Sequence, residues 1–112
     1  DLMALVCREV ERIAPEVTAS ILSVDELGLL HPLAAPGLPP AICQALDGVP
    51  IGPCAGSCGT AAFRRAPVVV NDITTDPLWA DYRTLFEPSG MRACWSSPIC
   101  DHAGKVIGTF AF

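Results

Sequence analysis

Apolar residues recur at helical spacing from the first turn of the chain. Leu2, Leu5, Val6, Val10 and Ile13 share one stripe, and Arg8, Glu9, Glu11 and Arg12 fall opposite. That period predicts an amphipathic helix over 2–13 with the stripe turned inward and Pro15 as its stop. Residues 17–24 are β-branched and apolar and predict a strand; Asp25-Glu26 begins a turn and 28–34 returns, giving a hairpin. Five prolines between 36 and 53 exclude a central strand and leave one short helix over 40–46, with Pro40 in its first turn. The glycine-rich run 52–59 predicts a loop that opens a short helix over 60–65, with Ser57 as cap. Residues 67–71 lack polar alternation and read as a short strand buried on both faces. Asp76-Pro77 starts a further helix, whose apolar face carries Leu78, Trp79, Tyr82, Leu85 and Phe86 before Pro88-Ser89-Gly90 stops it. Strands over 91–100 and 105–112 around a loop at 101–104 close the pattern, the first bent or at an edge near Pro98, the last with Val106, Gly108, Phe110 and Phe112 on one face.

The order is helix, hairpin, irregular helical insert, strand, helix, hairpin. It predicts a single α+β domain over 1–112, with one antiparallel sheet and helices on its faces. Hydrophobic residues are 51% and charged residues 17% of the chain, which excludes disorder. No apolar run reaches the length of a membrane span. The net charge of -5 repels phosphate backbones and argues against nucleic acid as partner. Six cysteines, several inside apolar runs and with no secretory leader before them, read as mostly reduced core residues of a cytoplasmic protein.

Four stretches, in order and spacing, resemble the second half of a GAF domain. They are Ile51-Gly52-Pro53 leading to Gly56-Ser57-Cys58-Gly59-Thr60-Ala61-Ala62; Val68-Val69-Val70-Asn71-Asp72-Ile73; Asp76-Pro77-Leu78-Trp79; and Gly90-Met91-Arg92-Ala93-Cys94-Trp95-Ser96-Ser97-Pro98-Ile99 followed by Gly104-Lys105-Val106-Ile107-Gly108-Thr109-Phe110. The hairpin and Ala34-Ala35-Pro36-Gly37-Leu38-Pro39 extend the resemblance over nearly the whole chain. It implies a GAF-like, PAS-related six-stranded antiparallel sheet with helices on both faces and a ligand pocket on one. It also implies a further strand and a long helix beyond Phe112. The functional implication is a regulatory module of a bacterial signalling protein, not itself an enzyme. Such a module senses an unidentified small molecule, forms a homodimer through terminal helices, and acts on an output domain in cis: a GGDEF/EAL unit turning over cyclic di-GMP, or a sensor histidine kinase. No cofactor is required by the sequence.

Candidate pocket residues are Ser57, Cys58, Asp72, Trp79, Tyr82, Arg92, Cys94, Trp95 and Ser96. Trp79, Tyr82 and Trp95 offer apolar surface with a polar handle, and Arg92 offers a cation for a carboxylate or phosphate. Cys58 beside a helix start is a candidate low-pKa thiol. Asp72 serves equally well as a turn residue. Free methionine-sulfoxide reductases of this family also have a cysteine at the position of Cys58. Their partner cysteine would fall within 75–87, where there is none. A bilin sensor would need a cysteine between Ile73 and Arg92, and a haem sensor would need His31 or His102 as axial ligand. Cys54 and Cys58 make one loose pair, short of the two close pairs of a structural zinc site.

Overall fold

Asp1 opens the first helix by accepting a hydrogen bond from Met3 N at 3.0 Å. The helix, α1, runs Leu2–Ile13 and ends at Ala14, one residue before Pro15. The computed structural model describes residues 1–112, the side chain of Pro88 excepted. The face that α1 turns inward shares only Val10 with the large apolar stripe. Cys7 is buried, with Ala4 and Val10 beside it, against Ala19, Ile21, Ala34 and Phe110 of the sheet. Leu2, Leu5, Val6 and Ile13 are exposed. Small side chains let the helix lie close to a sheet face that already carries a phenylalanine, and the Glu11 carboxylate ties down the chain by accepting from Ala19 N at 3.0 Å.

The strands are β1 (Ser20–Val24), β2 (Leu29–Ala34), β3 (Val49–Pro50), β4 (Val68–Val70), β5 (Cys94–Cys100) and β6 (Val106–Ala111). They form one sheet in the order β3-β2-β1-β6-β5-β4, antiparallel throughout. The β1–β6 pairing joins the two halves of the chain, with Leu22 opposite Thr109 and Ser23 opposite Gly108. A Cβ at Gly108 would stand 2.6 Å from Leu22 O, so this close approach needs glycine. The sixth strand comes from the proline-rich segment read as irregular. It is two residues long and lies at the sheet edge, where Pro50 costs no ladder bond.

The second face is covered by α2 (Pro40–Leu46), α3 (Cys58–Arg64), the 3₁₀ turn Pro77–Trp79, and the short α4 (Arg83–Phe86) followed by a 3₁₀ turn over Glu87–Ser89. The helix expected after Pro77 is thus broken into turns. Its start holds, since Asp76 accepts from Leu78 N at 2.9 Å, and so does its apolar face. Trp79 and Phe86 are buried in the main core and meet edge to face with ring centroids 4.9 Å apart. Residues 91–93 precede β5 as irregular chain. A further expectation is corrected by strand parity. Val69 and Trp95 lie opposite each other on the outer face and are 56% and 45% exposed, so β4 is buried on one face only.

Candidate functional site

The pocket is built where the glycine-rich loop enters α3. Gly56, at φ +66, donates its N–H to Leu78 O at 2.8 Å and lies flat against the Trp79 ring. A left-handed backbone and an indole face within 3.6 Å of the site of any Cβ both favour glycine there. Ser57 follows at the cap position but does not cap with its side chain. Its buried hydroxyl accepts from Trp79 Nε1 at 3.1 Å and donates to Cys94 O at 3.1 Å. One serine therefore links α3, the Pro77–Trp79 turn and β5.

Beyond Ser57 lies a cavity of about 40 Å³ between the sheet and the helices. Of the candidate pocket residues, Ser57, Cys58, Trp79, Tyr82 and Cys94 line it. The rest of its wall is mainly apolar, with Leu22 and Leu30 from β1 and β2, Leu38 and Leu46 around α2, and Phe86 and Met91 from the second half. Leu22 and Leu30 fall in the two strands of the expected hairpin; nothing in the local sequence marked Leu38 or Met91 as pocket residues. Since one water needs on the order of 10–15 Å³ of such space, the cavity as it stands admits a few waters or a methyl-sized group.

Cys58 turns its sulfur inward, where Ser96 Oγ lies at 3.2 Å. Thr109 Oγ1 leans on the same sulfur, and no better-oriented partner satisfies this buried hydroxyl. Burial pushes the Cys58 thiol up despite these two hydroxyls. The Cys94 thiol is pushed up to about 12, by burial first and by the neighbouring Cys58 second. Both are therefore protonated at neutral pH, contrary to the low-pKa expectation for Cys58.

The remaining candidates lie elsewhere. Asp72 closes a turn by accepting from Thr74 N at 2.9 Å, and its carboxyl is held below the usual range chiefly by the Thr74 hydroxyl. Arg92 and Trp95 do not reach the cavity; they line a separate open groove of about 650 Å³. Thr18, Leu38, Met91 and Phe112 line both spaces. All six cysteines are free; Cys7 and Cys94 are buried in the core, Cys43 and Cys58 pack against it, and Cys54 and Cys100 are exposed, the last despite its place in an apolar run. His31 bridges Asp47 Oδ1 at 2.5 Å and Asp25 Oδ2 at 2.7 Å. Its two nitrogens are committed to opposite partners, and among the described residues no group of three or more such side chains is placed to hold a metal. Among those residues no helix is long and apolar enough to cross a membrane.

The antiparallel sheet, joined at β1–β6, thus carries α1 on one face and a helix-lined cavity on the other. A family model described as GAF domain matches residues 1–112, and the chain belongs to that family. It is 29% identical over 111 residues to a methyl sulfide methyltransferase-associated sensor of Methanosarcina acetivorans, covering 98% of this chain and 11% of that protein. The GAF domain of a phosphoenolpyruvate-protein phosphotransferase from Coxiella burnetii superimposes with a TM-score of 0.77 at 18% identity, over 97% of this chain and 62% of that one. A free methionine-R-sulfoxide reductase from Neisseria meningitidis, solved with its substrate, superimposes at 0.75 with 21% identity, over 97% of this chain and 58% of that one. The chain thus spans about a tenth of the sensor and about three fifths of each of these two structures.

Proposed function

We propose that this domain is a regulatory sensor that binds a small molecule in the cavity beside Ser57 and Trp79, and does no chemistry on it. One observation carries the reading. The space lies at the junction of the sheet with α2, α3 and α4, is walled mostly by apolar side chains, and its two thiols are held protonated by burial. Occupation would spread these elements and bias their packing, which is how a ligand shifts a two-state module. The sensor named among its relatives supports the same reading. The ligand's message would pass in cis to an output domain in the cytoplasm, either a GGDEF/EAL unit turning over cyclic di-GMP or a histidine kinase. The exposed stripe Leu2, Leu5, Val6 and Ile13 on α1 supports pairing of two copies through terminal helices.

The likeness to a methionine-sulfoxide reductase, together with Cys58 and Cys94 on one cavity wall, favours thiol chemistry as the second reading. That chemistry needs a thiolate, which burial opposes here. The test is a thermal-shift screen of metabolites, cyclic di-GMP and haem, run beside an assay for methionine-sulfoxide reduction with a thiol reductant. A cavity ligand at a hundred times its Kd adds about 2.7 kcal/mol of stability. The shift should vanish in Cys58→Leu, which fills the cavity. Turnover of the sulfoxide that depends on Cys58 would replace the sensor reading with the enzymatic one.

A further inference from the structure

The groove and the cavity share four wall residues, Thr18, Leu38, Met91 and Phe112. They are adjoining chambers with different chemistry. The inner one is enclosed by leucines, Trp79 and Phe86. The outer one is open and mixed, with Trp95, Phe112 and Met91 beside Arg92, Asn71 and Glu16. Arg92 is exposed at residue level, and among the described residues its guanidinium makes no hydrogen bond or ion pair; Arg83, by contrast, is spent on the carbonyls of Ile73 and Asp76. Asp72 feels Arg92 only as a neighbouring charge. Ser89 is likewise committed, donating to Phe86 O and accepting from Met91 N.

We propose that the two chambers form one site for a small aliphatic monocarboxylate, its apolar tail in the inner chamber and its carboxylate on Arg92 in the outer one. The proposal rests on the sensor reading of the cavity and names the ligand class. An apolar pocket fixes an amphiphile by area, and a lone guanidinium at its mouth fixes the charged end by a charge-assisted bond. Arg92 is the one cation and Glu16 the one carboxylate lining the groove, and Asp72 is a neighbouring charge on Arg92; that single cation can neutralise one negative charge, and a dianion would leave a second one unpaired. The shared wall is the gate. Met91 is an unbranched thioether that repacks easily, and it can swing from between the chambers to lengthen the inner one.

The two tryptophans report on the two chambers separately, since Trp79 lines the cavity and Trp95 the groove. The experiment follows their indole N–H resonances in ¹⁵N-labelled protein during titration with monocarboxylates from butyrate to octanoate, the matching primary amides, and adipate. The expected result is that one chain length moves both indoles, that its amide binds at least about tenfold more weakly, and that Arg92→Gln erases the difference. Arg92→Gln alters an exposed side chain, and its unchanged Tm would show that the loss is not misfolding. Acid and amide moving Trp79 equally, unaffected by Arg92→Gln, would overturn the two-chamber site while leaving the cavity a binding site. Adipate binding as well as the monocarboxylate would overturn the ligand class. If no acid moves either indole the proposal fails, and an amide that still moves Trp79 would preserve the sensor reading alone.

Discussion

Ser57→Ala removes one hydroxyl and unpairs two groups. The Trp79 indole N–H, buried and 3.1 Å from Ser57 Oγ, loses its acceptor, and Cys94 O loses a donor at 3.1 Å. An unsatisfied buried donor costs about 1–3 kcal/mol, and the lost bond to the carbonyl about 0.5–1.5. The adjoining cavity of about 40 Å³ can admit a water to the indole, which puts the expected total in the lower half of the summed range, about 2 kcal/mol. At about 2.1 cal/mol/K per residue, a chain of 112 residues unfolds with about 0.24 kcal/mol/K, so Tm should fall by about 8 °C. A double-mutant cycle with Trp79→Phe isolates the shared bond, since the phenyl ring has no donor to strand. In that background Ser57→Ala should cost only about 1 kcal/mol, the part owed to Cys94 O. Urea unfolding of the four proteins measures the coupling. Equal costs of Ser57→Ala in both backgrounds would refute the claim that this serine joins α3 to the Pro77–Trp79 turn.

Gly108→Ala should destabilise by about 1–3 kcal/mol in urea, because the new methyl meets Leu22 O at 2.6 Å and main chain does not yield cheaply. His31, hydrogen-bonded by Asp25 and Asp47, holds its proton above the usual histidine range, while Asp25 is pulled below the usual carboxylate range, first by the His31 hydrogen bond. The histidine's contribution is therefore full below about pH 6.5 and lost as pH rises through its folded pKa; that of Asp25 is present above about pH 3.9 and lost as pH falls through its folded pKa. His31→Gln should thus cost most near pH 5.5 and least at pH 9, in low salt; a gap in urea midpoint that stays constant with pH would count against this. A thiol reagent at pH 8 should label Cys54 and Cys100 at once and reach Cys7 and Cys94 only on unfolding, checked by mass spectrometry of the labelled peptides.

Much of this fold could be read from periodicity, because its elements are short and bounded by proline, glycine and aspartate. The limits of α1 and α2 match the expected 2–13 and 40–46. The failures share a cause: periodicity finds a face but not what the face meets. In α1 the large stripe was assigned inward, yet the sheet beneath leaves room only for Ala4, Cys7 and Val10. Trp95 was a pocket candidate as an aromatic with a polar handle and through the family resemblance, and it does not line the inner cavity. Its neighbours Cys94 and Ser96 alternate inward instead and leave it on the outer face, its ring 5.4 Å from that of Phe112. Ser57 was recognised as a helix-start serine, but its bonding to Trp79 and Cys94 depends on contacts 22 and 37 residues away.

The edge strand Val49–Pro50 has a bearing on how copies of this domain meet. A sheet border normally invites another chain to extend it, and such recruitment leads to fibrils. Here the border offers two residues, one of them without an amide hydrogen, and Pro32 sits in the strand just behind it. Lateral growth of the sheet is blocked on that side by composition alone, so copies of this domain can crowd together without polymerising through it.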